Sequence, residues 1–324
     1  MSAADIVTKN YMRNNAVFAD AFNYLLYNGE QVISPDDLHE LDSTELAALA
    51  AGLAEYSGKK APKNSIDTVQ KYRDVLKSAV IMQNNDISYV IFGVENQTDV
   101  HYAMPVRNMI YDGLQYGRQI ADITAAHMNS DEKFKGRSKA EFLSGFCKDD
   151  LLKPVITLVI HFGTDEWDGP MSLHDMIDSD DAELLKFVPD HRINLIDPSR
   201  LSEKELLKFS TSLREVLLYI KYSKDKKKLL EITDNNPRML LDVSAAQVIN
   251  TVTNTSIKIS DKTEVVDMCQ AIKEIMEDCK TEGKISTLSS LIHDGILSVS
   301  EAAARADMSI DDFNAAVDRL SHSA

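Results

Sequence analysis

Glu95 and Gln97 stand two residues apart at the end of the apolar run Ile91-Phe92-Gly93-Val94, where a strand should still be half buried. A carboxylate placed there asks for a partner, and Asp74 is the candidate. Asn84-Asn85 between them is a hairpin-turn signal, because Asn tolerates positive φ better than most residues. With a two-residue turn at that point, positions whose numbers sum to 169 face each other, and Asp74 and Glu95 satisfy the sum. Their Cα atoms would lie about 4.5–5.5 Å apart on one face of an antiparallel pair. Another loop length would shift the pairing, and IDTVQKYRDVLK also fits a helix, which would leave Asp74 just before its strand.

Two carboxylates held opposite each other repel, so either one is protonated or a cation lies between them. Hard divalent ions such as Mg²⁺ take oxygen ligands, often one or two protein carboxylates with water and substrate phosphate completing the shell. That arrangement suits phosphodiester hydrolysis, in which the metal activates a water and stabilises charge on phosphate oxygens. Gln97 shares a strand face with Glu95; its neutral amide cannot be a general base but can orient a water. The competing reading makes Asp74 and Glu95 ordinary hairpin residues, one solvated and one paired with Arg73 or Lys77.

These residues need a sheet and a helix to position them. AVFADAFNYLLY, residues 16 to 27, puts Phe18, Phe22 and Leu25 or Leu26 on one helical face, with Asn28-Gly29 as a stop. Pro35 marks a turn, and the run from Ser43 to Ala54 reads as a short helix. YAMPVRNMIYDGLQYGRQI, 102 to 120, predicts a helix entered through Pro105, with Arg107, Tyr111 and Gln115 on one face and Met109, Ile110, Leu114 and Gly117 packing elsewhere. PVITLVIHFG (154 to 163) is a buried strand and RINLID (192 to 197) a second. The order is that of an α/β fold with a mixed central sheet flanked by helices. Past about residue 200 the strands are expected to stop, giving a domain over 1–200 and a helical region over 201–324.

This chain resembles the Rpn family of recombination-promoting nucleases and putative transposases, within the PD-(D/E)XK nuclease superfamily. The residues that carry the resemblance are Phe18-Ala19-Asp20-Ala21-Phe22-Asn23, Tyr72-Arg73-Asp74-Val75 and Gly93-Val94-Glu95-Asn96-Gln97-Thr98. Further on come Ala103-Met104-Pro105-Val106-Arg107 with Tyr111-Asp112, then Pro154 to Val159, and Asp165-Glu166-Trp167-Asp168-Gly169-Pro170. It implies a PD-(D/E)XK core in which Asp74 and Glu95 are metal ligands. Gln97 takes the place usually held by Lys, and Asp20 on the first helix completes the site. It also implies a DNA endonuclease with Mg²⁺ or another divalent cation, in which Arg107 and Tyr111 contact phosphate or support the site. A Gln supplies no positive charge beside the scissile phosphate, although E-x-Q is usual in that family.

Composition limits the alternatives. No run approaches the about 18 consecutive apolar residues that span a membrane, and MSAADIVTKNYMRNN lacks the apolar core of a secretory signal. Cys147, Cys269 and Cys279 are too scattered for a disulfide framework or a four-Cys zinc site, which points to a reducing, cytoplasmic location. The net charge of −16 argues against tight sequence-independent DNA binding, since phosphate contacts are carried mainly by Lys and Arg. Within that acidic background the cluster from Lys221 to Lys228 offers Lys226, Lys227 and Lys228 as the best backbone contact, although such runs are usually a solvated helix end.

Other features read structurally. Asp165, Glu166 and Asp168 fit a solvated Gly-Pro turn anchored by Trp167, and His161 fits a strand end. Met268, Ile272, Ile275 and Met276 form a helical apolar stripe. Ser298 with Glu301, and Ser309 with Asp312, fit helix N-caps in a terminal helical hairpin whose Asp311, Asp312 and Asp318 disfavour DNA reading. That hairpin is the candidate surface for homo-oligomer formation. No Gly-rich phosphate loop is present. Together with what the resemblance implies, the leading function is metal-dependent DNA cleavage linked to recombination or transposition. The alternative is a catalytically inactive DNA- or protein-binding module that retains the fold.

Overall fold

The computed structural model describes residues 2–41, 75–83, 86–129, 136–234, 236–259 and 264–322. Asp74, the Asn84-Asn85 turn and the expected helix over 43–54 lie outside the described residues.

The chain opens with α1 (Ala3–Met12) and α2 (Asn15–Tyr27). Asn28 ends α2 in the left-handed conformation (φ 56°), and Gly29 follows at φ 95°. A Cβ on Gly29 would lie 2.8 Å from both Cβ and O of Lys208, so the Asn-Gly stop is required by conformation and by space. Pro35–Asp37 forms a 3₁₀ turn that leads into β1 (Leu38–Glu40). Then follow β2 (Val75–Gln83), β3 (Asp86–Gln97), α3 (Met104–Asn129), α4 (Lys139–Ser144), β4 (Val155–His161) and β5 (Asn194–Ile196).

The strands form one sheet in the order β1-β2-β3-β4-β5, antiparallel from β1 to β3 and parallel from β3 to β5. The β2–β3 ladder runs from Val75↔Val94 to Gln83↔Asp86, and every pair sums to the 169 expected from a two-residue turn. One sheet face meets α2, with the Phe22 and Phe92 rings tilted against each other at 4.3 Å between centroids. The other face meets α3, where Leu114 packs against buried Leu76 and Ile91.

Downstream come α5 (Leu213–Tyr222), α6 (Lys226–Thr233), β6 (Leu240–Asp242), α7 (Val243–Thr253), β7 (Val265–Asp267), α8 (Met268–His293), α9 (Val299–Ala306) and α10 (Ile310–His322). The C-terminal region is helical as expected, with one correction: strands do not stop near 200, because β6 and β7 pair antiparallel. Leu241 and Val266, buried and directly paired, give this short ladder a core that three-residue segments do not announce in sequence.

Contacts divide the chain into two units, Met1–Leu229 with Ser244–Asn254, and Leu230–Val243 with Thr255–Ala324. The first contains the five-stranded sheet. In the second, Phe313, Ala302, Ala303, Ile285 and Leu288 form the core of a packing of α8, α9 and α10. Ser298 and Glu301 cap each other reciprocally at the start of α9, and the Ser309 hydroxyl accepts the Asp312 N–H. Of the expected α8 stripe, Met268 and Ile272 are buried but Met276 is 48% exposed.

Candidate active site

β3 alternates between the two layers of the first unit. Phe92 and Val94 face α2, whereas Ile91, Glu95 and Gln97 face α3. Glu95 is 1% exposed. Burial of a carboxylate without compensation is costly, and the compensation comes from α3: Arg107 Nη2 donates to Glu95 Oε2 at 3.1 Å. Arg107 Nε in turn donates to the Tyr111 hydroxyl at 2.9 Å, one helical turn further on. Glu95, Arg107 and Tyr111 are therefore brought together in one chain of contacts.

The inner face of α3 is polar. Asn108, Tyr111 and Gln115 are buried there beside Met104 and Pro105, and Thr157 of β4 donates to Asp112 at 2.6 Å. Asn108 Oδ1 and Gln115 Nε2 are buried without a hydrogen-bond partner among the described residues. Met109 and Ile110, which point away from that face, are 39% and 49% exposed. The sheet selects the polar stripe because Glu95 and Thr157 already stand on the face that α3 covers. Asn108 was not expected from the sequence; its signal was the spacing of 104, 108, 111 and 115, which is one buried helical face.

His101 lies just ahead of α3, and its Nδ1 accepts the Ala103 N–H at 3.3 Å. Burial, and secondly the Arg107 guanidinium, hold its pKa below the usual imidazole value, so the ring is neutral at pH 7. Gln97 is half-buried, and in the parallel register it lies beside His161, on the same sheet face. His161 is 1% exposed, meets Trp167 edge-on, and donates from Nε2 to the Asp165 carbonyl at 2.9 Å.

The structure does not bring Asp20 into this group. Its carboxylate accepts the Ser210 and Thr211 N–H groups (2.9 Å each) and both hydroxyls, so it ties α2 to the loop before α5. Lys226, Lys227 and Lys228 occupy the first turn of α6, where Asp225 accepts the N–H groups of Lys227 and Lys228. Lys226 and Lys227 are exposed, while Lys221 and Lys224 of the same cluster are committed to the Pro198 and Ser199 carbonyls and to Asp165. Asp165, Glu166 and Asp168 are each held by a different partner, Lys224, Arg200 and Tyr102 respectively. They help line a cavity of about 540 Å³ beyond the ends of β3 and β4, together with Asp99 and His161.

Oxygen donors of the Glu95 and Gln97 kind match a hard divalent cation. The fit is met by Glu95 among the described residues, with Arg107 already at one of its oxygens. Among the described residues, two clusters of three potential ligands could hold a metal ion: His127, Cys147 and Asp150, and Glu141, Cys147 and Asp149. Neither contains a residue expected from the sequence.

The family described as "Putative transposase, YhgA-like" matches residues 66–250, more than half of the 324-residue chain, and takes in β2, β3, α3, β4 and β5. The chain belongs to this family. The YhgA-like family is part of the PD-(D/E)XK nuclease-like superfamily, in keeping with the mixed sheet and the carboxylate on its third strand. Membership supports a transposase- or nuclease-like role and points toward DNA. No curated protein and no solved structure matches the chain. Among the described residues, no helix is long and apolar enough to cross a membrane.

Proposed function

We propose that this YhgA-like chain is a metal-dependent DNA endonuclease whose site centres on Glu95. The observation that carries the reading is a fully buried carboxylate on a central strand, held by Arg107 and Tyr111 within a polar layer where an α/β protein would ordinarily place apolar side chains. Asp74 is the second ligand in this proposal. Its support is that the described β2–β3 ladder, from Val75↔Val94 to Gln83↔Asp86, keeps the register in which position 74 would face Glu95.

The bound cation, Mg²⁺ or a similar ion, would activate water and neutralise phosphate charge. The chain's own residues do the rest. Arg107 holds the Glu95 carboxylate in one orientation, and Tyr111 holds Arg107. Gln97 orients water from the same strand face without acting as a base. Neutral His101 adds no cation beside Arg107. DNA runs along the Arg107 side, since the cavity lined by Asp99, Asp165, Glu166 and Asp168 repels phosphate. Cleavage of this kind fits a cytoplasmic role in recombination or transposition.

The test is nicking of supercoiled plasmid by the purified chain in Mg²⁺. Glu95→Ala and Asp74→Ala should each lower the rate at least about 100-fold, more than loss of an outer partner normally does. Undiminished cutting by either variant rejects the assignment. One observation favours the alternative of a silent binding module: Arg107 already supplies a positive charge to Glu95, so the carboxylate is neutralised within the protein. That reading expects DNA binding, no nicking, and no Mg²⁺ affinity lost on Glu95→Ala.

A further inference from the structure

The end of α3 distant from Glu95 carries a second concentration of donor atoms. His127, in the last turn of α3, places Nε2 2.9 Å from Asp150 Oδ2. Cys147, 2% exposed, stands three residues before Asp150. The segment between them is a turn closed by the Asp150 N–H donating to the Cys147 carbonyl at 3.1 Å. Such a turn directs the side chains of its first and fourth residues to the same side. The Cys147 N–H fixes the carboxylate by donating to Asp150 Oδ2 at 2.6 Å. As a result one imidazole nitrogen, Sγ and one carboxylate oxygen all lie within 4.8 Å of one another, close enough to share one ion with little rearrangement.

The backbone holds this convergence independently. Gly145 adopts φ 71° at the end of α4, and a Cβ there would lie 2.5 Å from Thr124 Cγ2. The Thr124 hydroxyl donates to the Gly145 carbonyl at 3.1 Å. Thr124 and His127 are three residues apart on one face of α3, so a single helical face is pinned to the 145–150 segment at two points.

We propose that His127, Cys147 and Asp150 form a binding site for a divalent transition-metal ion, of which Zn²⁺ is the best match. One imidazole, one thiolate and one carboxylate make a donor set of mixed softness that suits Zn²⁺ and poorly suits Mg²⁺ or Ca²⁺, which take oxygen alone. Three protein ligands leave the fourth tetrahedral position to water. The overlapping trio of Glu141, Cys147 and Asp149 is the weaker set, because its carboxylates are committed elsewhere. Asp149 forms a two-pronged pair with Arg137 at 2.6 and 2.9 Å, and Glu141 accepts the Ser138 and Lys148 N–H groups. The ion would clamp the end of α3 to the segment leading into β4. It is separate from the Glu95 site in both position and ligand chemistry.

The experiment is titration of the chelator-treated, full-length chain with Co²⁺, followed by Zn²⁺. About one Co²⁺ per chain should bind and give a thiolate-to-metal charge-transfer band with tetrahedral d–d absorption, both lost on adding Zn²⁺. Cys147→Ser should abolish the charge-transfer band. His127→Ala and Asp150→Asn should weaken Co²⁺ binding at least about tenfold, and the double variant Cys269→Ser/Cys279→Ser should keep the spectrum. Thermal unfolding guards against misfolded variants: Cys147→Ser should keep a single cooperative transition, and Zn²⁺ should raise the midpoint of wild type and not that of Cys147→Ser. Absence of the band in wild type, its survival in Cys147→Ser, or its loss in Cys269→Ser/Cys279→Ser would overturn the proposal.

Discussion

Glu95 is the residue whose placement explains most of its neighbours. A carboxylate that is 1% exposed can stay charged only beside a matching cation, and Arg107 provides it at 3.1 Å while itself remaining partly open. Removal of one partner therefore does more harm than removal of both. Arg107→Met should destabilise the chain by about 3–5 kcal/mol in urea unfolding, and Glu95→Gln/Arg107→Met by clearly less. Equal losses would show that the pair is not coupled. A second readout sits on His101, whose pKa is lowered first by burial and then by Arg107. Arg107→Met should move the His101 midpoint upward in an NMR titration without restoring the full solvent value, because burial remains.

At the scale of elements, α3 runs against the usual amphipathic rule, with polar Asn108 and Gln115 inside and Met109 and Ile110 outside. Two substitutions separate function from packing here. Ile110→Lys should change stability by no more than about 0.5 kcal/mol, as for other exposed positions. Asn108→Leu should leave stability unchanged or raised, because the buried Oδ1 has no partner among the described residues; any accompanying loss of nicking then marks the polar layer as functional. A marked loss of stability in Asn108→Leu would instead make Asn108 a packing residue. At the start of α9, the Ser298 N–H first and the Ser298 hydroxyl second hold the Glu301 pKa below 4.5. A folded value below the unfolded one means that this cap stabilises fully above about pH 4.5 and is lost as pH falls through the lowered value. Ser298→Ala should return the Glu301 midpoint toward 4.5.

For the whole molecule, the net charge of −16 sets the terms on which DNA can be approached. Contact must be local, and binding should weaken steeply with salt only in proportion to the few cations engaged. Lys226 and Lys227 are exposed and in no ion pair among the described residues. Replacing Lys226, Lys227 and Lys228 with Glu should reduce the slope of log affinity against log salt by up to about 3 if all three meet phosphates. An unchanged slope removes α6 from the interface. The units interleave along the chain, since α5 and most of α7 belong with the sheet and β6 with the terminal helices.

Local geometry was legible in the order of residues. The β2–β3 register, the Asn28-Gly29 stop, the strands over 155–161 and 194–196 and the Ser298 cap all follow from short-range rules of turn, period and hydrogen-bond partner. That order also brought Glu95, Gln97, Arg107 and Tyr111 forward as a group, because each lies on a regular element whose faces can be counted. Packing between distant segments settles which face of α3 turns inward, that Asp20 serves the Ser210–Thr211 loop, and that His127 meets Cys147 and Asp150. Those outcomes depend on which segments become neighbours when the sheet and helices pack. Periodicity along one segment contains no information about the segment across from it.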